Sequence, residues 1–563
     1  MRCIYYSFSK AMYSLLLLLI FNAPLLAQEE QELAPVSRTY AVTNVTIVQA
    51  PGKKIDQGTV VMKNGIIVGV GKGIPVPSDA IVIKADSMFV YAGFIDGLTR
   101  AGVSKPKDEN KDKVKDPGNP PPEKAGITPQ ADVRYLLNPS DKSLEELRNI
   151  GFTTAQVVPH GNLLPGQAAI VLTGGTSAES MLLLNNAALY SELTGSGSVY
   201  PNTVLGVMAK WRELYRQANQ AKSYETLYAS NRNGLERPMA DRTLEAFYPV
   251  IDKRMPVLFK AEKLVDIHRV FTLRKDLNFQ LTLAEVKEGW PIITRIKLSG
   301  AKVFLSLDLP EEVKKDASKK EEVVASAPKT PAQFEKEALD KRKAEAIANY
   351  TGQAASFQKA GVPFGFSSMS AKPKEIQANL RRMISAGLSE DAALASLTIV
   401  PAQLLGLSDR LGTIDNGKIA NLIVSDKPYF NEKAKVRYVF VDGMLYIMDV
   451  KDTKKSDVKV EIEGGWSTIA QTPQGNTEGK ITLKKDGNGY SGTISGGNLP
   501  APTDLREINL DGNTLAYKYT LTMGGQPLHI EVEAKVEGDS FKGTITAGQF
   551  GSFPIDGTRD PKK

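Results

Sequence analysis

The stretch that decides the fold is Tyr91–Arg100, which reads YAGFIDGLTR. Its apolar half runs into Gly93–Asp96 and ends at polar residues, a pattern typical of a buried strand that emerges at a sheet edge. Residues 39–85, before it, alternate with the period of a strand, and Asn64-Gly65 is a strong hairpin-turn signal. The stretch therefore predicts the first strand of a larger sheet, entered from a small β unit.

Strands alternate with helices from about Ser140 to residue 405. Examples are a strand over Thr153–Val158, a helix over Leu264–Asp276 and a strand over Phe279–Ala284. This alternation predicts a parallel sheet with crossover helices, and the number of units predicts a (β/α)8 barrel. Residues 411–448 return to the strand pattern and are expected to rejoin the sheet of residues 39–85.

The predicted fold class is α/β: a (β/α)8 TIM-type barrel with a small discontinuous β-sandwich, plus a C-terminal all-β domain. Residues 480–497 and 530–548 resemble each other, which indicates one hairpin type used twice in that last domain. The predicted organisation is a signal peptide at 1–27, a β-sandwich formed by residues 28–92 together with 409–450, the barrel at 93–408 and the all-β domain at 457–563.

Residues 1–27 have the pattern of a secretory signal. Arg2 and Lys10 are basic, an apolar run follows to Phe21, and Ala27 precedes a polar segment. The alternative is an uncleaved N-terminal anchor. We expect an exported protein, periplasmic or extracellular. Cys3 is the only cysteine, so the mature chain can form neither disulfides nor cysteine–metal sites.

The bulk composition is that of an ordinary globular protein. Hydrophobic residues make up 42% and charged residues 24%, and the net charge is +7. Basic residues are not interleaved with aromatic ones in a stripe, which argues against nucleic acid as a partner.

Two separated stretches of the chain resemble the amidohydrolase superfamily, most closely its imidazolonepropionase-type members. In the N-terminal stretch, residues 63–72 and Gly93–Asp96 stand where the family has Asp-Gly-Arg-Ile…Val-Gly and Pro-Gly-Phe-Ile-Asp. In the later stretch, Pro401–Gly406, Gly412–Ile414 and Val439–Gly443 follow the closing pattern of the family. Between them the barrel interior is a weaker match, so the resemblance covers about residues 39–448 and implies a metal-dependent barrel flanked by a β-sandwich.

The resemblance also implies one or two metal ions, usually zinc, which activate water for attack on a carbonyl. The family's ligands are a His-x-His on the first strand, one His after each of the fifth and sixth strands, and an Asp after the eighth. Matched by strand ends, these positions hold other residue types in this chain: Leu98, Arg100, Lys260, Glu285 and Met369. Of these only Glu285 could ligate a dication, so we expect no zinc and no other cofactor.

Arg100 and Lys260 place positive charge where the resemblance puts the metal. We expect Glu285, Glu288 and Asp96 to form salt bridges with them at the open end of the barrel. This cluster would replace the metal or bind a carboxylate or phosphate. Asp96, Glu288 and His160 are the candidate ligand contacts, with ordinary loop bonding as the alternative for His160.

Three functions remain open at this point. The first is a secreted, non-catalytic protein that binds a small ligand or assembles with itself or with an active paralogue. The second is a hydrolase of non-peptide C–N bonds, in an amide, cyclic amide or dipeptide-like substrate, with an atypical or metal-free site. The third is a purely structural envelope protein.

Overall fold

The structure is a computed structural model that describes residues 39–105, 114–311, 331–448 and 461–560, without 473–474, 487–488, 497–498, 500, 512, 524–525 and 548–550. The predicted signal peptide at 1–27 lies outside these residues. The chain divides into two compact units, Met1–Asp449 and Val450–Lys563. Within the described ranges, no helix is long and apolar enough to cross a membrane.

Strands and helices of the first unit follow each other along the whole of its length. The strands are β1 Thr39–Ala50, β2 Lys53–Lys63, β3 Ile66–Gly71, β4 Ile81–Lys84, β5 Phe89–Ala92, β6 Phe94–Thr99, β7 Phe152–Val157, β8 Gly166–Leu172, β9 Leu182–Glu192, β10 Val257–Lys260, β11 Leu281–Val286, β12 Lys302–Ser306, β13 Gly365–Ser367, β14 Leu422–Ser425, β15 Val436–Val441 and β16 Met444–Ile447. The α-helices are α1 Lys142–Asn149, α2 Ala178–Met181, α3 Val204–Ser230, α4 Arg242–Glu245, α5 Tyr248–Ile251, α6 Leu264–Leu277, α7 Ile293–Ser299, α8 Pro331–Ala360, α9 Pro373–Ser385, α10 Glu390–Leu397 and α11 Ile399–Leu405.

One sheet combines the two ends of the unit. Its order is β16-β15-β14-β5-β1-β2-β3, with β4 paired to β1. The predicted turn at Asn64-Gly65 is confirmed: both residues have positive φ, 49° and 80°, between the antiparallel β2 and β3. Its apolar side forms a core of its own, which includes Ile47, Val90 and Phe440.

The second sheet carries the candidate site. Its order is β13-β12-β11-β10-β9-β8-β7-β6, and β13 also lies against β6. Neighbouring strands are parallel from β9 to β13 and between β6 and β7. The expectation of a wholly parallel sheet is wrong at β8, which runs antiparallel to both β7 and β9. The loop 158–165 is too short for the crossover that a parallel β7–β8 pair requires.

The helices that cover this sheet are anchored by aromatic side chains. Trp211 of α3 is fully buried, and its indole nitrogen donates to the Ser191 hydroxyl at 2.9 Å. Its ring packs edge-on against Phe247 and tilted against Phe259 and Phe279. Since Ser191 precedes the last residue of β9, this contact fixes the end of that strand beside the candidate site.

The second unit is all-β. Its strands are β17 Gly464–Thr472, β18 Gly475–Asp486, β19 Gly489–Gly496, β20 Thr503–Asp504, β21 Arg506–Asp511, β22 Thr514–Met523, β23 Gln526–Glu537, β24 Ser540–Ala547 and β25 Ser552–Arg559. They form one sheet in the order β20-β19-β18-β17-β25-β24-β23-β22-β21, and β19 also contacts β21. The sheet therefore curls toward closure around a separate core that includes Trp466, Tyr517 and Phe541.

Candidate functional site

The strand β6 is buried along its whole length and brings Asp96, Leu98 and Arg100 to the C-terminal edge of the sheet. Gly97 on this strand faces the ring of Phe304 on β12. An added Cβ at Gly97 would lie 1.9 Å from that ring, so only glycine fits here. The backbone oxygen of Leu98 accepts a hydrogen bond from the Ser367 hydroxyl at 3.0 Å, which ties β6 to β13.

Leu98 occupies the first position that the resemblance assigns to a metal ligand. Its side chain is fully buried in an apolar cluster that contains Tyr190, Leu258 and Phe304. Met369 packs against the same cluster from a position beyond the end of β13. Neither side chain offers an oxygen or nitrogen donor, so the interior of the sheet is apolar at these two positions.

Alternating charges line the C-terminal edge of the sheet. We call this set the ionic chain; its members, in spatial order, are Arg100, Glu192, Lys260, Glu262, Lys287 and Asp308. Each member ends a strand of the second sheet or follows one within two residues. The strand ends thus place three cations and three carboxylates side by side.

Glu192 holds the first half of the ionic chain together. Its carboxylate lies 2.5 Å from the Arg100 guanidinium and 4.0 Å from the Lys260 ammonium. Its side chain is only 8% exposed and also accepts from the Tyr190 hydroxyl at 2.6 Å. Burial, and then the charge of Glu192, raise the pKa of Tyr190 well above its usual range, so the phenol stays a proton donor.

Glu262 and Lys287 continue the ionic chain. The Lys260 ammonium lies 2.9 Å from Glu262, whose other oxygen lies 3.6 Å from Lys287, and Lys287 lies 2.7 Å from Asp308. Burial opposes ionisation of Glu262, but the hydrogen bond and charge of Lys260 outweigh it and lower its pKa. Burial also opposes the charge on Lys287, yet the bond to Asp308 raises the pKa of Lys287. Both residues are therefore held in their charged forms.

The expectation that Glu285, Glu288 and Asp96 neutralise the two cations is wrong. Arg100 and Lys260 take Glu192 and Glu262 instead, because those carboxylates stand at or just past the ends of β9 and β10. The sequence did carry a signal for the missed members, Glu192, Glu262, Lys287 and Asp308. Each is a charged residue that directly follows, or nearly follows, a buried apolar run.

Asp96 is a fully buried carboxylate whose partners are local. One oxygen accepts from the backbone nitrogens of Ser368 and Leu98 at 3.0 and 3.2 Å, and the other accepts from the Ser368 hydroxyl. Burial raises the pKa of Asp96 to about 7, against the effect of these hydrogen bonds. Near neutral pH, Asp96 is therefore poised between its two protonation states.

Glu285 is the second buried carboxylate of the site. It accepts from the hydroxyls of Ser306 and Ser367, each at 2.5 Å. Burial raises its pKa, although these bonds and the charge of Lys287 act in the opposite direction. Its backbone has φ of +58° at a register irregularity between β11 and β12. A left-handed conformation in a non-glycine residue is strained, and here it goes with a side chain that points into the sheet interior.

Glu288 and His160 have structural partners. Glu288 accepts from the backbone nitrogen of Leu264 at 3.0 Å and from the Tyr350 hydroxyl at 2.5 Å, so it caps the first turn of α6. His160 contacts the backbone oxygen of Val103 at 2.9 Å through Nε2, and burial lowers its pKa. His160 is thus held mainly as neutral imidazole.

These positions do not fit a divalent metal ion. Leu98 and Met369 carry no hard donor, Arg100 and Lys260 are cations already paired with carboxylates, and Glu285 is bound by serine hydroxyls. Among the described residues, no three or more His, Asp or Glu side chains are grouped so that they could hold a metal. A donor set of this kind repels a dication more than it binds one.

Comparison with known proteins gives the class and then the family. The structure of an amidohydrolase from Thermotoga maritima matches with a TM-score of 0.58 at 20% identity, over 73% of this chain and 100% of that chain. A prolidase complexed with N-methylphosphonate-L-proline matches at 16% identity and TM-score 0.40, over 73% and 99% of the two chains. Phenylurea hydrolase B matches at 15% identity and TM-score 0.41, over 72% and 96%.

The first of these structures indicates the fold class, a mixed α/β fold of the TIM-barrel family. Residues 298–446 match the amidohydrolase family. The resemblance found in the sequence is thereby confirmed. A comparison with curated proteins finds no match.

Proposed function

We propose that this chain is an exported, non-catalytic member of the amidohydrolase superfamily that serves as a ligand-binding or partner subunit. The observation that carries the proposal is the ionic chain, which begins at Arg100 and passes through Lys260, two positions that the family gives to metal ligands. The basic start and apolar heart of residues 1–27 support export to the periplasm or the exterior.

The balance of charge favours a structural role for the ionic chain over capture of a free anion. Three cations alternate with three carboxylates, and every cation has a carboxylate oxygen within 3 Å. An incoming carboxylate or phosphate would have to displace one of these partners. The ionic chain therefore holds the ends of β9–β12 together, as a metal ion would, without supplying a Lewis acid.

A non-catalytic protein of this kind can act in a complex with an amidohydrolase that keeps its metal ligands. A partner that keeps all of its metal ligands could gain stability or a binding surface from this chain. A homologue with intact ligands encoded next to this chain would support that role, and so would co-purification of the two as one complex.

The first experiment is a metal assay. The mature full-length chain is incubated with excess zinc, desalted and measured for bound metal by mass spectrometry, and it is screened against amide, cyclic amide and dipeptide substrates. We expect far less than one zinc per chain and no turnover. Stoichiometric zinc, retained after desalting, would overturn the proposal.

A metal-free hydrolase is the second candidate, and one observation favours it. Asp96, with a pKa raised to about 7 by burial, accepts a hydrogen bond from the Ser368 hydroxyl, so a base of suitable pKa stands beside a possible nucleophile. Both side chains are buried, 0% and 6% exposed, which opposes access by a substrate. The non-catalytic interpretation is therefore the stronger one.

The two candidate functions predict different effects of amino-acid substitutions on turnover. A metal-free hydrolase predicts turnover that resists chelators and is abolished by Glu285→Ala or Asp96→Asn. The matched control is Glu213→Gln on the exposed side of α3, which should leave that turnover unchanged. Activity with this profile would favour the second candidate.

A further inference from the structure

The all-β unit encloses a cavity that is unrelated to the ionic chain. Its volume is about 130 Å³, and it is lined by residues of strands β17–β19 and β22–β25. The innermost lining side chains are Ala470, Ile494, Tyr519, Ile530, Ile545 and Ile555, each less than 10% exposed. Close-packed protein interiors have few voids larger than a water molecule, so a void of this size is unusual.

The size of the cavity matches a small ring. An engineered apolar cavity of about 150 Å³ stays dry and binds benzene. The present cavity reaches the end of the sheet where β17 and β19 finish, because Thr472 and Gly496 are among its lining residues. Phe553 at the start of β25 lines the same end.

The lining chemistry excludes a charged ligand. Glu478 is the charged residue among those that line the cavity, and it lies exposed at the rim. An anionic group would meet this carboxylate and no cation among the described lining residues. A cationic group would lose its hydration against the apolar interior of the cavity. The occupant is therefore neutral and mainly apolar.

Tyr519 on β22 supplies a hydrogen-bonding end, and Tyr517 lies two residues before it on the same strand. The Tyr517 hydroxyl is buried and has no hydrogen-bond partner within the described ranges. Tyr519 occupies the next inward position of the same strand and lines the cavity, and burial alone raises its pKa to about 12. Tyr519, unlike Tyr517, is one of the residues that line the cavity, and no hydrogen bond of its hydroxyl is found among the described residues. A buried hydroxyl normally has a partner, so the Tyr519 hydroxyl can bond to a polar group of a ligand.

We propose that the all-β unit binds a small neutral molecule, apolar except for one hydrogen-bonding group, with its ring or short alkyl part in this cavity and its polar group on Tyr519. Phenols and benzylic alcohols belong to this class. This binding site does not depend on the function proposed for the first unit, and the two proposals are tested independently.

The test uses the full chain with two probes, p-cresol and toluene, which differ by one hydroxyl. Binding is followed by saturation-transfer NMR and calorimetry. We expect saturable binding of both, with p-cresol about tenfold tighter, the usual strength of one net hydrogen bond in a buried site. Tyr519→Phe should remove that advantage and leave toluene binding unchanged.

A filling variant checks the location. Ala470→Phe should abolish binding of both probes because its ring takes the space, whereas Ile469→Phe, on the outer face of the same strand and 41% exposed, should bind as the parent does. If Ala470→Phe loses its circular dichroism signature, Ala547→Leu fills the same cavity and replaces it. The proposal is overturned if the parent shows no saturable binding, if a folded filling variant binds both probes normally, or if Tyr519→Phe leaves the p-cresol advantage intact.

Discussion

At the residue scale, the site is governed by two kinds of carboxylate. Glu192 and Glu262 stand at or just past the ends of strands and form ion pairs with Arg100 and Lys260. Asp96 and Glu285 lie inside the sheet beside serine hydroxyls, where burial raises their pKa. The same kind of side chain therefore neutralises cations at the edge of the sheet and has a raised pKa within it.

Asp96 makes stability depend on pH. Its pKa rises from 3.8 in the unfolded chain to about 7 in the folded one, so the folded state binds the extra proton and stability falls as pH rises from 4 to 7. At about 1.4 kcal/mol per pKa unit, the full effect is on the order of 4 kcal/mol. Asp96→Asn should remove this contribution to the slope in urea unfolding measured from pH 4 to pH 8.

The control for that measurement is Asp56→Asn, a change to an exposed carboxylate on β2. It should leave the pH dependence of the parent unchanged. Identical slopes for Asp96→Asn and the parent would show that Asp96 is ionised in the folded state throughout this range.

Glu192 is the residue on which the ionic chain depends most. Glu192→Gln leaves Arg100 and Lys260 half-buried without their shared carboxylate, and breaking such a pair should cost about 3 kcal/mol of unfolding free energy. Glu213→Gln breaks the exposed pair with Lys210 and should cost less than about 1 kcal/mol. The urea midpoints of the two variants measure these losses of unfolding free energy. Equal losses would contradict a structural role for the ionic chain.

At the element scale, the interior of the second sheet is closed by packing between strands. The Phe304 ring of β12 lies against Gly97 of β6 and Gly365 of β13, so three strands meet at one side chain. Apolar contact therefore fills the interior of the sheet beside Leu98.

Gly97→Ala tests this packing. The added methyl group overlaps the Phe304 ring and should cost about 3 kcal/mol of unfolding free energy. Phe304→Ala alone should cost about 4 kcal/mol, and the double variant less than the sum, because the smaller side chain makes room for the methyl group. Gly352→Ala on α8 meets no atom within 4 Å and should stabilise slightly. Strict additivity of Gly97→Ala and Phe304→Ala in urea unfolding would show that the contact does not exist.

At the scale of the whole molecule, the chain holds two compact units with separate cores. The first carries the superfamily fold and the ionic chain. The second has its own antiparallel sheet and its own cavity.

Separate cores predict separate folding. A fragment of residues 461–563 should give a strand-type circular dichroism spectrum and a cooperative urea transition, because Trp466, Tyr517 and Phe541 bury each other without help from the first unit. Its midpoint should match the transition of this unit within the full chain. A fragment that stays unfolded in buffer would show that the all-β unit needs the rest of the chain.

Sequence alone indicated the resemblance to the amidohydrolase superfamily and predicted much of the fold. Gly93–Asp96, the hairpin at Asn64-Gly65 and the closing pattern near Pro401 are local signals, because turn geometry and strand periodicity are written in neighbouring residues. The sequence also indicated that Leu98 and Arg100 cannot bind a metal ion as the histidines of the family do. These inferences needed no knowledge of which strands lie side by side.

Tertiary structure decided the partners. Arg100 and Glu192 are far apart in sequence and meet only because β6 and β9 end at the same edge of one sheet. The direction of β8 and the burial of Asp96 are likewise set by long-range packing, which the strand pattern does not encode. The sequence identifies the residues that carry charge, and the tertiary structure determines which of them form ion pairs.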